Sequence, residues 1–360
     1  MADGLAAGNG AKVGLVGFGL AGRVFHAPLI RASGMQVVGV VSRQRDAVSA
    51  ALPAASVMPD LGALLSQPGL DLVVIATPND QHEAQALAAL AAGKHVVVDK
   101  PLALSSAGAD LLIRAAAESG VMLSVFHNRR WDSNFRTLKR VLEAGTLGAV
   151  QGFEARWNRY RPKLPDRWRE SAAHGGGLLF DLGTHLIDQA LQLFGMPDWL
   201  QADIHAQRAG ATVDDAFELR MGKGRARIVL GAASLAAEPG PRYRVHGELG
   251  SYTSDSNDPQ EDQARAGMLP ADAAFGLPVQ HAGGHIVDGA SGQSRSVPAE
   301  RGCWVDYYRA VRLAIGQRGV AREPPVPPVP PEQARQVLQV IEAARQSSQR
   351  GMRVWLDGGT

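Results

Sequence analysis

The chain has little that would tie it to an oxidising compartment, a bilayer or nucleic acid. Cys303 is its single cysteine, so no internal disulfide can form, and its neighbours Gly302 and Trp304 belong to no metal-ligand or redox motif. No stretch approaches the ~18–20 consecutive apolar residues that span a bilayer. Met1–Gly10 lacks the basic start and apolar core of a signal peptide and reads as a frayed tail. The formal net charge is only +2, with the arginines scattered rather than gathered into a basic face, which argues against a nucleic-acid partner. No internal repeat of solenoid type is visible. These absences together lead us to expect a soluble cytoplasmic protein.

What is present is the composition of a folded globular chain. Of 360 residues, 45% are hydrophobic and 20% charged, and the length suggests roughly two domains. From Lys12 to Asn128, β-branched runs alternate with alanine-rich helical stretches, the pattern of βαβ units on a doubly wound parallel sheet. Strands are expected at Lys12–Gly17, Gln36–Ser42, Asp71–Ala76, His95–Asp99 and Met122–Phe126, and ligands of such sheets sit beyond the carboxyl ends of the strands. After Trp131 the texture changes. A helix through Lys139–Glu143 leads into Val150–Tyr160, followed by alternating segments at Trp199–Gln207, Asp215–Met221, Arg225–Ala232, Arg242–His246 and Gly250–Thr253. With few helices between them, these suit an open, mostly antiparallel sheet in an α+β unit. We therefore divide the chain into an α/β domain, 1–127, and an α+β domain, 128–360. Pro324–Pro331 holds six prolines in eight residues, a stiff connector rather than a partner-binding motif. Residues 331–350 form a closing helix that packs back on the first domain.

Gly17, Gly19 and Gly22 make G-x-G-x-x-G directly between the first strand and an expected helix over Ala21–Arg31. Such glycines allow a tight turn and let a pyrophosphate approach free amides at a helix start. The pattern is weak alone, and its place at the first strand–helix junction is what favours dinucleotide binding by Gly17–Phe18–Gly19–Leu20–Ala21–Gly22 over a plain glycine turn. At the end of the second strand, Ser42, Arg43, Gln44 and Arg45 include no carboxylate. An arginine there can pair with a 2′-phosphate, so NADP is expected ahead of NAD, although both arginines can also be solvated turn residues. Thr77, Pro78, Asn79 and His82, closing the third expected strand, either line the nicotinamide side or form an ordinary capped turn.

Two further segments can carry chemistry. Asp99, Lys100 and Pro101 end the fourth expected strand, where a lysine can stabilise negative charge on a substrate oxygen, though a lone lysine is more often a surface group. In Gly175–Asp188, helical spacing puts Asp181, His185, Asp188 and Gln192 on one face and Leu182, Leu186, Ala190, Leu193 and Phe194 on the other. A carboxylate–imidazole pair suits acid–base work near neutral pH. Solvation of that face, or metal ligation by Asp181 and His185, are the competing readings.

The glycine fingerprint, A-T-P-N-D-Q-H, G-K-H-V-V-V-D-K-P and G-G-G-L-L-F-D-L-G-T-H-L-I-D together resemble the Gfo/Idh/MocA oxidoreductases across nearly the whole chain. That resemblance implies a Rossmann domain coupled to an open sheet domain that makes subunit contacts, hence a homodimer or homotetramer built on the second sheet. It also implies a small polyhydroxylated substrate and a catalytic group in which His185 accepts the proton, Asp181 orients it and Lys100 lies near the reacting oxygen, with no metal required. Many members carry glutamate where this chain has Asp99. G-L-A-G-R-V-F-H-A-P-L-I, V-F-H-N-R-R-W-D, R-P-K-L-P-D-R-W-R-E and D-P-Q-E-D-Q are similar to the NADP-dependent scyllo-inositol dehydrogenase branch. His26, Asn128, Arg130, Trp131, Arg167 and Trp168 are then candidate substrate contacts, each equally suited to packing. The expectation is hydride transfer between a nicotinamide and a CH–OH or ketone of an inositol or sugar. A trans-dihydrodiol or other carbonyl reductase and a non-catalytic ligand sensor are the alternatives. Joint presence of Lys100, Asp181 and His185 weighs against the sensor.

Overall fold

The structure, a computed structural model, describes residues 10–164, 171, 174–279, 282–316 and 326–356. Arg167 and Trp168, most of the N-terminal tail, and Pro324 and Pro325 lie outside these.

The first sheet has six parallel strands: β1 Lys12–Val16, β2 Gln36–Val41, β3 Ser56–Met58, β4 Leu72–Ile75, β5 His95–Val98 and β6 Leu123–Val125. Their order is β3-β2-β1-β4-β5-β6, the doubly wound arrangement whose reversal between β1 and β4 opens a crevice at the carboxyl ends of the strands. Helices flank the sheet, so β4 (LVVI) and β5 (HVVV) are buried at every position, which is why they read as unbroken apolar runs rather than alternating ones. β3 escaped the sequence reading because it is three residues long and nowhere fully buried.

The second sheet has nine strands: β7 Val150–Arg156, β8 Trp199–His205, β9 Ala216–Lys223, β10 Ala226–Ala233, β11 Tyr243–Gly247, β12 Gly250–Ser254, β13 Gly283–Asp288, β14 Ser294–Pro298 and β15 Val354–Trp355. They run in the order β14-β13-β12-β11-β7-β10-β9-β8-β15. All pairings are antiparallel except β7 with β10. Strands β13 and β14 were not expected, since two glycines and a run of exposed serines hide their alternation. Helices Thr184–Phe194 and Pro331–Arg350 cover one face. The other carries charge: Arg156 pairs with Glu154 and, at 2.9 Å, with Glu218, while Arg244 reaches Glu154 at 3.3 Å.

Two helices tie the sheets together. Pro331–Arg350 packs between β8 and helix Ser106–Ser119, where Glu342 accepts from Ser106 and Arg335 pairs with Asp110 at 2.6 Å. Helix Val305–Gly316 brings Tyr307 and Tyr308, both fully buried, against Phe126 at the end of β6. Buried aromatics of ~150–250 Å² at ~25 cal/mol per Å² each contribute several kcal/mol, so the contact between the two halves is apolar core rather than a wet hinge.

Candidate active site

The turn after β1 is built for close approach. Gly17 has φ +95°, and a Cβ there would lie 2.5 Å from the Ala76 carbonyl oxygen. A Cβ on Gly22 would sit 2.2 Å from the Gly17 oxygen, whereas one on Gly19 would meet nothing within 4 Å. Gly17 and Gly22 are thus required by the fold, and the space over Gly19 is the cradle a pyrophosphate needs. Phe18 is buried and Leu20 borders the cleft. The helix that follows opens with a π-turn over Ala21–His26 before regular helix over Ala27–Ala32.

At the end of β2 the Ser42 hydroxyl accepts from the Gln44 amide at 3.0 Å. Arg43 and Arg45 are exposed, and among the described residues neither has an ion-pair partner. After β4, Thr77 and Pro78 are half-buried. His82 is a correction to the expected cofactor set: it is buried, with ring nitrogens 2.7 Å from the Pro101 carbonyl and 2.9 Å from that of Thr77. It braces the β4 and β5 loops from behind, and burial holds its pKa down against those carbonyls. Asn79 is likewise occupied, donating to the Gly175 carbonyl at 3.0 Å.

Beyond β5, the Lys100 ammonium donates to both the carbonyl (2.6 Å) and the carboxylate (3.0 Å) of Asp181. The Lys100–Pro101 bond is cis. Asp99 accepts from the Lys100 amide at 2.8 Å and faces His26 Nε2 at 3.6 Å. Burial raises the Asp99 pKa, but the neighbouring His26 ring, 3.6 Å away, and the Lys100 charge outweigh it and hold it at about 2.

Asp181 and His185 come from a helical run anchored by Asp214, a residue the sequence reading missed. Its carbonyl and carboxylate accept from the amides of Leu178 (2.8 Å) and Leu179 (2.7 Å). A Cβ on Gly177 would lie 2.3 Å from that carboxylate, and Gly177 sits at φ +111°. The run starts as a π-turn, Leu179–Gly183, before helix Thr184–Phe194. The Asp181 carboxylate is given to Lys100 and, at 3.8 Å, to Arg159.

His185 is 5% exposed, and its Nδ1 has no hydrogen-bond partner. Its ring centroid lies 6.1 Å from that of Trp157 and 6.5 Å from that of His127. Burial first, then the charges of Lys100, Arg129, His127 and Arg242, push its pKa well below the usual histidine range. At neutral pH it is an uncharged imidazole, the form that accepts a proton. The amphipathic helix was a second misreading, because Thr184 through Leu191 is buried on all sides. Asp188 pairs with Arg130 at 2.9 and 2.6 Å and so belongs to the core.

The cleft, about 190 Å³, joins both halves: Leu20, Ala21, Asp99 and Lys100 line it from the first sheet, and Trp157, Arg159, Asp181 and His185 from the second. Of the expected substrate contacts, Asn128 lines it. His26, Arg130 and Trp131 do not line it. His26 is fully buried, with Nδ1 2.6 Å from the Tyr308 hydroxyl. Arg130 is committed to Asp188 and Gln333, and Trp131 packs on Tyr307 with centroids 5.5 Å apart. Arg129, Trp157 and Arg159 were missed, and the alternation of β7 continuing to Trp157 and Arg159 was the only signal for the last two.

Residues 11–127 match the model of an oxidoreductase family's NAD-binding Rossmann fold, and residues 139–356 match that family's C-terminal alpha/beta domain. The chain belongs to the Gfo/Idh/MocA oxidoreductases. It is 38% identical to scyllo-inositol 2-dehydrogenase (NADP(+)) IolW of Bacillus subtilis, over 84% of this chain and 86% of that one. It is 40% identical to an uncharacterised oxidoreductase, YdgJ, of Escherichia coli, over 86% and 89%. The solved structure of yvaA from Bacillus subtilis superposes with a TM-score of 0.92 at 36% identity, covering 97% of this chain and 99% of that one. This Gfo/Idh/MocA protein is an oxidoreductase of two α/β parts, and the Gly19 cradle with the open β1–β4 crevice fits a dinucleotide.

Proposed function

We propose that the enzyme is NADP-dependent and interconverts a secondary alcohol and a ketone on an inositol or sugar, with a scyllo-inositol-like substrate favoured. The observation that carries this reading is the meeting of Lys100, held by Asp181, with an uncharged buried His185 on one cleft beside the glycine turn. When bound, the nicotinamide supplies or accepts the hydride. His185 takes the hydroxyl proton, and the Lys100 ammonium donates to the substrate oxygen as negative charge builds there. Asp181 and Arg159 keep Lys100 fixed in direction. Gly19 leaves room for the pyrophosphate, and Ser42 and Arg43 would hold the 2′-phosphate.

The IolW relationship and the unpaired Arg43 both support NADP. A neutral polyol suits a cleft whose polar groups are hydrogen-bond donors and acceptors. We place the protein in the cytoplasm as a homodimer or homotetramer joined through the charged open face of the second sheet, and a monomer by light scattering at micromolar concentration would remove that assembly. The test of function is turnover of NADP⁺ with scyllo-inositol and a panel of inositols and sugars. Lys100→Ala and His185→Asn should each lower kcat/KM by ~10²–10⁴. Unchanged turnover in either variant contradicts the reading.

A further inference from the structure

His185 lacks what usually orients a proton-accepting histidine. Its Nδ1 is buried without a hydrogen bond, and the carboxylate expected beside it is taken by Lys100 and Arg159. Packing alone must set the ring's direction, and the side chain packed against it within the cleft is Trp157.

Trp157 is itself held with care. The guanidinium carbons of Arg129 and Arg242 lie over its ring, 4.9 and 4.3 Å from the centroid. Arg129 also lies 5.0 Å from the ring centre of Trp304. Both arginines are buried and neither can swing away. Arg242 donates to the Arg156 carbonyl at 2.9 Å. Arg129 pairs with Glu261 and, at 3.5 Å, with Asp132. Glu261 belongs to the D-P-Q-E-D-Q segment, a motif whose role the reaction left unexplained. Asp258 of that segment accepts from the Ser133 amide at 2.6 Å, and Gln260 accepts from the Trp304 amide at 2.7 Å. The segment thus fixes Arg129, Arg129 and Arg242 fix Trp157, and Trp157 lies against His185.

We propose that Trp157, clamped by Arg129 and Arg242, is the positioning residue that aims His185 at the substrate hydroxyl. The proposal rests on reading His185 as the proton acceptor. Trp157 acts through His185 and is not itself catalytic. A flat indole tilted against the imidazole, with centroids 6.1 Å apart, restricts its rotation without giving it a proton partner, which leaves Nε2 to take the proton of the reaction. The charged and titratable groups facing His185 are Lys100 from the β5 loop, Arg129 and the uncharged His127 from the segment after β6, Arg159 after β7, Arg242 at β11 and Asp181 on its own run.

The test compares Trp157→Leu with Trp157→Phe. The first readout is ¹⁵N NMR of labelled histidine in the full chain, with the His185 signal identified by its loss in His185→Asn. It needs no substrate, so it stands even if scyllo-inositol is not turned over. The Leu variant should raise the His185 pKa toward the ordinary value and mix its tautomers, and the Phe variant should keep the wild-type pattern. The second readout is kinetics with NADP⁺ and scyllo-inositol. A misaimed base should cost ~10- to 100-fold in kcat with little change in KM or in NADPH affinity, with Phe restoring most of it. An unmoved His185 signal in Trp157→Leu, or a loss confined to KM, overturns the proposal and makes Trp157 a substrate platform instead. Equal loss in both variants together with lost NADPH binding also overturns it, because that marks a purely structural role.

Discussion

Buried, uncharged histidines at the centre of this molecule make acid a specific threat to it, and His127 allows the effect to be worked out. His127 follows β6, is 1% exposed, and has an Nδ1 without a hydrogen bond. Burial lowers its pKa from 6.5 to about 4, with Asp188 opposing and Arg130 and Lys100 assisting. In the unfolded chain the same group titrates at ~6.5. Between those two values the unfolded state binds the extra proton, so stability is full above pH 6.5 and falls as pH drops toward 4. At ~1.4 kcal/mol per pH unit, the gap amounts to about 3 kcal/mol, a large share of the ~5–15 kcal/mol that holds a typical domain folded. His127→Gln removes the titration while keeping a polar group of similar reach. Urea unfolding from about pH 7 to about pH 4, with stability extrapolated to zero denaturant, should show the variant losing about 3 kcal/mol less than the wild type over that interval. Parallel curves for the two proteins would refute the reasoning, whatever their absolute offset, because every other titrating group is common to both.

Two further outcomes follow from the geometry. Gly19→Ala should leave the melting temperature unchanged and weaken NADPH binding, since its Cβ meets only ligand space, whereas Gly22→Ala should lower the melting temperature as well, with its Cβ 2.2 Å from a carbonyl oxygen. Calorimetry paired with cofactor titration separates the two. Asp188→Ala leaves the buried Arg130 guanidinium without its carboxylate and should cost ~3–5 kcal/mol in unfolding free energy. A loss under ~1 kcal/mol there would mean the pair is hydrated rather than buried.

What could be read in advance tracks how local the determining physics is. The glycine turn is legible because three glycines, a preceding apolar strand and a following helix are all neighbours in sequence. β4 and β5 are legible because complete burial writes itself as unbroken valine, leucine and isoleucine. Lys100, Asp181 and His185 were found through a family pattern, and their mutual arrangement was not. Helical spacing puts Asp181 and His185 on one face, but it could not show that the Asp181 carboxylate accepts from Lys100, 81 residues away. His26, Arg130 and Asp188 carried polar labels that suggested a cleft, yet each finds its partner in the core. Trp157, Arg129 and Asp214 were invisible because their roles depend on contacts between remote segments, which no local period records.

The proposed function requires that the first half hold a phosphorylated nicotinamide dinucleotide. Fluorescence titration of the purified protein with NADPH and NADH, repeated on Arg43→Asp, tests it most directly. The account predicts tight NADPH binding, weaker NADH binding, and a loss of NADPH affinity in the variant worth ~1.5–3 kcal/mol, the value of a charge-assisted contact. Equal binding of both cofactors, unaltered by the substitution, would contradict the role of Arg43, and binding of neither would contradict the claim itself.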